Sequence, residues 1–264
     1  MGTSGAYGGS GGRAWGKARE QAGEYADNPT SENAAELLSN IANALDWDND
    51  GATPDFDELK PVVARPRLRG PGGGGDGPGG GGGGASGGGA RTGGGGRSRS
   101  RSQAAAVGGS VAAAGLALRA RDNETLQRFG LTLAELDGLD AHEQARRILD
   151  AVAGSVGGIQ EDELQHASGV AVLALLDDGA TAEDAVRAFI TDYVFEVSIT
   201  EVGDELRDGT RDGYTTVDQE DQLRDLIETS VNQLDLPDRL DADNIQEAIY
   251  NALDDARTFL RASE

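Results

Sequence analysis

Between Gly70 and Gly96 the chain runs for 27 residues, of which 19 are glycine. No side chain there can contribute to a core, and glycine loses more backbone freedom on ordering than any other residue. The run divides the chain into two parts that must find their cores without it. A flexible linker of this length has a root-mean-square span of about 30 Å. No strict Gly-X-Y period supports a collagen helix. No G-x-x-x-x-G-K-[ST] sequence supports a phosphate-binding loop. The sequence therefore predicts four regions. Residues 1–30 form a disordered N-terminal tail, and 31–69 a short helix with an acidic loop. Residues 70–102 form a Gly/Arg/Ser-rich linker, and 103–264 an acidic α-helical domain.

The charge divides in the same way. Residues 1–121 carry 12 acids and 13 bases, and residues 122–264 carry 34 acids and 10 bases. Nearly the whole net charge of -23 thus belongs to the C-terminal half. Only Lys17 and Lys60 are lysines among 23 basic residues. Abundant carboxylates with almost no lysine suit a halophile, where concentrated salt screens self-repulsion. Such a charge disfavours direct nucleic-acid binding, because phosphates would be repelled. The chain has no cysteine, which excludes disulfides, thiolate zinc sites and a thiol nucleophile.

The start of the chain is polar and lacks the apolar core of a secretory signal. Ala6 occupies the Ser/Thr place of a myristoylation motif, so lipidation is not expected. From Gln103 to Arg119 the sequence is rich in Ala, Gly and Val. Only Val107, Val111, Leu116 and Leu118 are bulky, too few to span a bilayer. A helix whose small residues allow close packing fits better. With neither signal nor span, the expected location is the cytoplasm, with no membrane partner.

Helical periodicity dominates what remains. Leu37, Leu38, Ile41, Ala44 and Leu45 form one face of a helix capped by Thr30 or Ser31. In the C-terminal half, helices are predicted near 123–129, 132–137, 141–154, 160–177, 182–207, 218–234 and 242–261. Thr132/Glu135, Asp140/Glu143 and Thr181/Asp184 have the spacing of capping boxes. Val186, Phe189, Ile190, Tyr193, Val194 and Val197 form one apolar stripe. Leu223, Leu226, Ile227, Val231 and Leu234 form a second, and Ile245, Ile249, Leu253 and Leu260 a third. The expected fold is all-α, a C-terminal domain of six or seven helices behind a long disordered Gly-rich N-terminal region.

Three patterns invite a chemical reading. Asp46, Asp48, Asp50 and Gly51, with Asp57 at the twelfth place, follow the opening of a calcium loop. The twelfth residue is not the bidentate Glu, Thr53 stands where an apolar residue is usual, and Pro61 cuts the exiting helix. A capped helix end leading into a solvated acidic loop is the main reading, and an acidic calcium-binding or scaffold protein the alternative. Arg97, Arg99 and Arg101 alternate with serine, and could contact phosphate or dock onto the chain's own acidic half. The second fits the charge division better. Finally, His142 and His166 lie outside any H-E-x-x-H pattern, and no G-x-S-x-G sequence is present. No catalytic residue, metal ligand or cofactor site is expected, and the chain does not read as an enzyme.

The opening Met1-Gly2-Thr3-Ser4 with Tyr7-Gly8-Gly9, the Gly/Arg/Ser-rich middle and the acidic helical half together resemble the QatB family. These are accessory proteins of the four-gene Qatuor anti-phage defence systems. Ser10 stands where the family has proline. The small-residue stretch Val107–Leu118 is similar to the family's. So are the segments from Leu126 to Leu131, Phe189 to Val197 and Leu223 to Val231, whereas residues 18–96 match only in character. The resemblance implies a non-enzymatic protein that binds an ATPase, a QueC-like enzyme and a TatD-like nuclease. It also implies that Gly2 is an acceptor for modification by the QueC-like enzyme, with Gly2, Thr3, Ser4 and Tyr7 as the recognised tail. Removal of Met1 would expose the Gly2 amine, whose reference pKa of about 7.7–8.0 leaves a nucleophilic fraction near neutrality.

Overall fold

The computed structural model describes residues 13–45, 101–155, 162–177, 179–208 and 213–261. Among these residues there are ten helices and no strand, so the all-α expectation holds. In chain order they are α1 (Arg13–Asp27), α2 (Ser31–Ala44), α3 (Arg101–Arg119), α4 (Asn123–Arg128) and α5 (Leu133–Leu136). Then come α6 (Ala141–Ser155), α7 (Asp162–Leu176), α8 (Ala182–Asp208), α9 (Gly213–Val231) and α10 (Ile245–Arg261). The seven helices expected in the C-terminal half are all present. The stretch Thr191 to Thr200, whose β-branched and aromatic residues suit a strand, is the middle of α8.

The capping signals explain where several helices begin. Thr30 accepts a hydrogen bond from the Asn33 N–H at 3.2 Å and starts α2. Asp122 accepts from the N–H groups of Glu124 and Thr125 at the start of α4. Thr181 and Asp184 close a reciprocal box at the start of α8. The Asp184 N–H donates to the Thr181 hydroxyl at 3.1 Å, and the Thr181 N–H donates to the Asp184 carboxylate at 2.7 Å. Those bonds from Thr181 hold the Asp184 carboxyl below its ordinary value of 3.8. A lowered carboxyl stabilises the fold above its unfolded pKa and loses that contribution as pH falls through its folded pKa. Asp184→Ala is therefore expected to cost about 0.5–1 kcal/mol at neutral pH. Thermal unfolding should show the gap from wild type closing below pH 3.8. A gap independent of pH would refute the role of the charge.

Helix α3 lies at the centre, against α7, α10, α6, α4 and α8. It is buried along nearly its whole length, from Ala104 to Leu118. Its glycines are points of contact. A Cβ on Gly108 would stand 2.4 Å from the Phe189 ring, and one on Gly109 2.6 Å from the Gln246 backbone. One on Gly115 would stand 2.9 Å from Leu175. The lack of side-chain bulk thus lets α8, α10 and α7 approach α3 on three sides. The close-packing reading of 103–119 is borne out. Among the described residues no helix is long and apolar enough to cross a membrane.

Two expected boundaries need correction. Residues 13–27, assigned to a disordered tail, form α1. Trp15, Ala18, Ala22, Tyr25 and Ala26 are buried at helical spacing along it. Alanine supplies most of that stripe, which disguised it as a featureless polar start. The helix is also pinned by polar contacts. The Arg19 guanidinium donates to the Glu201 carbonyl at 2.9 Å and to its carboxylate at 2.8 Å. The Tyr25 hydroxyl donates to Gln222 at 2.8 Å, and the Gln219 amide donates to the Ala26 carbonyl at 3.0 Å. Helix α2, assigned to a unit apart from the acidic domain, packs on α1 and α10. Arg257 of α10 donates to its Ala42 carbonyl at 3.1 Å. Both helices therefore belong to the same core as the C-terminal half.

Candidate functional site

The most unusual chemistry among the described residues lies where α7, α8 and α9 meet. Along the buried face of α8 two carboxylates are fully enclosed: Glu201, paired with Arg19, and Asp192, whose side chain is fully buried where α7 and α9 pack. A buried carboxylate is tolerated only with partners of opposite charge or good donors. Asp192 has both. Its Oδ1 is bonded by the Arg224 guanidinium from α9. Its Oδ2 lies 2.6 Å from His166 Nδ1 on α7. One turn along α8, Glu196 Oε1 stands 3.4 Å from the same His166 nitrogen. Arg224 is further held over the Phe195 ring, 4.9 Å from its centroid.

The electrostatics of this cluster are not balanced. Burial pushes the Glu196 carboxyl above its ordinary value, and the nearby Asp192 and Glu163 carboxylates push it further. His166 and Arg224 pull the other way. A cleft of about 320 Å³ adjoins the cluster, with Thr191, Arg224, Arg187, Asp184 and Glu228 on its walls. Chemically, a His–Asp pair can orient a general base, but it needs a nucleophile within reach. The Ser168 hydroxyl, two residues beyond His166, is fully buried and not offered to the cleft. What the cluster can do directly is hold positive charge.

The residues singled out from the sequence have different fates. Gly2, Thr3, Ser4 and Tyr7 lie outside the described residues, as do the Asp46–Asp57 loop, Arg97 and Arg99. Arg101 is described and is the first residue of α3. Its guanidinium pairs with Asp254 at 2.9 Å, donates to the Tyr250 hydroxyl at 2.6 Å and lies 3.9 Å over the Tyr250 ring. At this residue the basic run docks onto the chain's own acidic half, as the charge division suggested. His142 is exposed in the first turn of α6. His166 is also largely exposed, yet it belongs to the Asp192 network. Sequence reasoning missed Asp192, Glu196 and Arg224. The D-x-x-x-E spacing of the two acids was visible, but a chain with 46 acidic residues contains many such pairs.

Against this background, no protein-family model matches the chain, and no curated protein and no solved structure matches it.

Proposed function

We propose that the chain is a non-enzymatic, partner-binding component of a QatB-like anti-phage assembly. Its N-terminal tail is the working end, and Gly2 accepts a modification from a QueC-like enzyme. The ATPase and the TatD-like nuclease are its other partners. It acts in the cytoplasm of a halophile, where its acidic surface is screened. The observation that carries this reading is the anchoring of α1. Arg13 opens that helix directly after the first residues of the chain. Arg19 then fixes it to α8 and Tyr25 to α9, with Trp15 buried in its first turn. The tail's root is thereby held at one place on a rigid body, as a substrate tail delivered to a docked enzyme requires.

Co-expression with a QueC-like enzyme and an ATPase of such a defence system provides the test. Mass spectrometry of the N-terminal peptide should show an added mass that is absent from Gly2→Pro. Affinity purification in molar KCl should retain both partners through the helical body. An unmodified N-terminus in a defence-competent strain would refute the acceptor role. Loss of co-purification by the intact chain would refute partner binding.

A further inference from the structure

We infer that His166 Nδ1, Asp192 Oδ2 and Glu196 Oε1 form a binding site for one divalent transition-metal ion of the zinc class. The three ligand atoms come from facing helices and all lie within 4.8 Å of one another. Zinc takes imidazole nitrogen and carboxylate oxygen at about 2.0–2.2 Å. Ligand atoms at that distance in a tetrahedral set stand about 3.3 Å apart. His166 and Glu196, at 3.4 Å, already have that spacing. His166 and Asp192, at 2.6 Å with a shared proton between them, must open by a fraction of an ångström as the ion replaces the proton. The two ligands with freedom to move are His166, whose side chain is 57% exposed, and Glu196, at 30%. Asp192 is the fixed member.

Three further features favour a cation here over a chance group of surface acids. First, the set includes an imidazole and a fully buried carboxylate. Second, Arg224 bonds the outer oxygen of Asp192 and leaves Oδ2 directed at His166. Such outer contacts orient metal-binding carboxylates. Third, the ligand atoms sit at the exposed edge of the α7–α8 packing, where His166 and Glu196 reach solvent while Asp192 is anchored within. A mixed nitrogen and oxygen set suits zinc or cobalt better than calcium or magnesium, which favour oxygen alone. The exposed side of His166 leaves room for water to complete the coordination. The ion would clamp α7 to α8. This site is independent of the N-terminal tail, so either reading can fail without the other.

The full chain, stripped with chelator and dialysed into molar KCl, would be titrated with Co²⁺ and Zn²⁺. The salt screens diffuse binding to the acidic surface. The expected result is one ion per chain by calorimetry, with visible d–d absorption for Co²⁺. His166→Ala and Glu196→Gln should each weaken binding more than about tenfold. Both positions are at least partly exposed, so both variants should keep the wild-type circular dichroism. His142→Ala should bind like wild type, and a large excess of Ca²⁺ should not displace Co²⁺. Absence of binding, binding unchanged in His166→Ala, or displacement by Ca²⁺ would each overturn the proposal. Displacement by Ca²⁺ with binding lost in Asp48→Ala would move the ion to the Asp46–Asp57 loop.

Discussion

Gly109→Leu is expected to abolish the native fold, and Gly109→Ala to lower stability by about 1–3 kcal/mol in urea unfolding. The alanine Cβ would lie 2.6 Å from Gln246 Cα and 2.7 Å from its Cβ. These atoms cannot swing aside as the end of a side chain can, so α10 must move away from α3. Gly108→Ala should behave similarly. Its Cβ would meet the Phe189 ring, which is fully buried and stacked on Tyr193 with centroids 5.9 Å apart. Alanine also raises intrinsic helix propensity by about 1 kcal/mol, which offsets part of either loss. Gly23→Ala isolates that term, because nothing lies within 4 Å of the added carbon. It should stabilise the protein by about 0.5–1 kcal/mol. If Gly109→Ala and Gly23→Ala shifted the urea midpoint alike, the close-approach account of α3 would be wrong.

Arg224→Ala should be the most damaging substitution at the polar cluster. It leaves the Asp192 carboxylate buried against an apolar stripe with His166 as its remaining partner. Breaking a dry buried pair costs about 3–5 kcal/mol. Arg224 itself is 38% exposed, so water can enter part of the space it vacates. A loss of about 2–3 kcal/mol is the appropriate expectation. Arg224→Ala combined with Asp192→Asn should recover a large share of that loss, because no buried charge is then stranded. A double-mutant cycle by chemical unfolding measures this coupling. Strict additivity would show that the two groups do not depend on each other.

Much of the fold was legible because its signals are local. Apolar residues three and four apart outline α6 to α10, and paired caps such as Thr181 with Asp184 mark their starts. Helix α1 escaped because its buried face is largely Ala18, Ala22 and Ala26, which composition cannot separate from a polar tail. Only the packing of α1 on α2 and α8 gives those alanines a reason to be buried. The same limit applied to the polar cluster. His166 and Asp192 are 26 residues apart, and Arg224 lies 32 further on. No spacing rule links them, since the link is the packing of three helices. Arg101 was legible for the opposite reason. A basic run beside an acidic half has an obvious electrostatic destination.

The attachment of α1 and α2 to α8 and α10 has a consequence for tolerance to insertion. The two helices reach their places across residues 46–100, and they are held by contacts, not by a short connection. For a flexible chain, doubling the length of a closed loop costs only about 0.6 kcal/mol. The Gly70–Gly96 run has the composition of such a chain, so lengthening the sequence there should carry little thermodynamic cost. By the same reasoning, a chain cut there is held together by the α1 and α2 contacts alone. The two pieces should find each other in solution as a split protein.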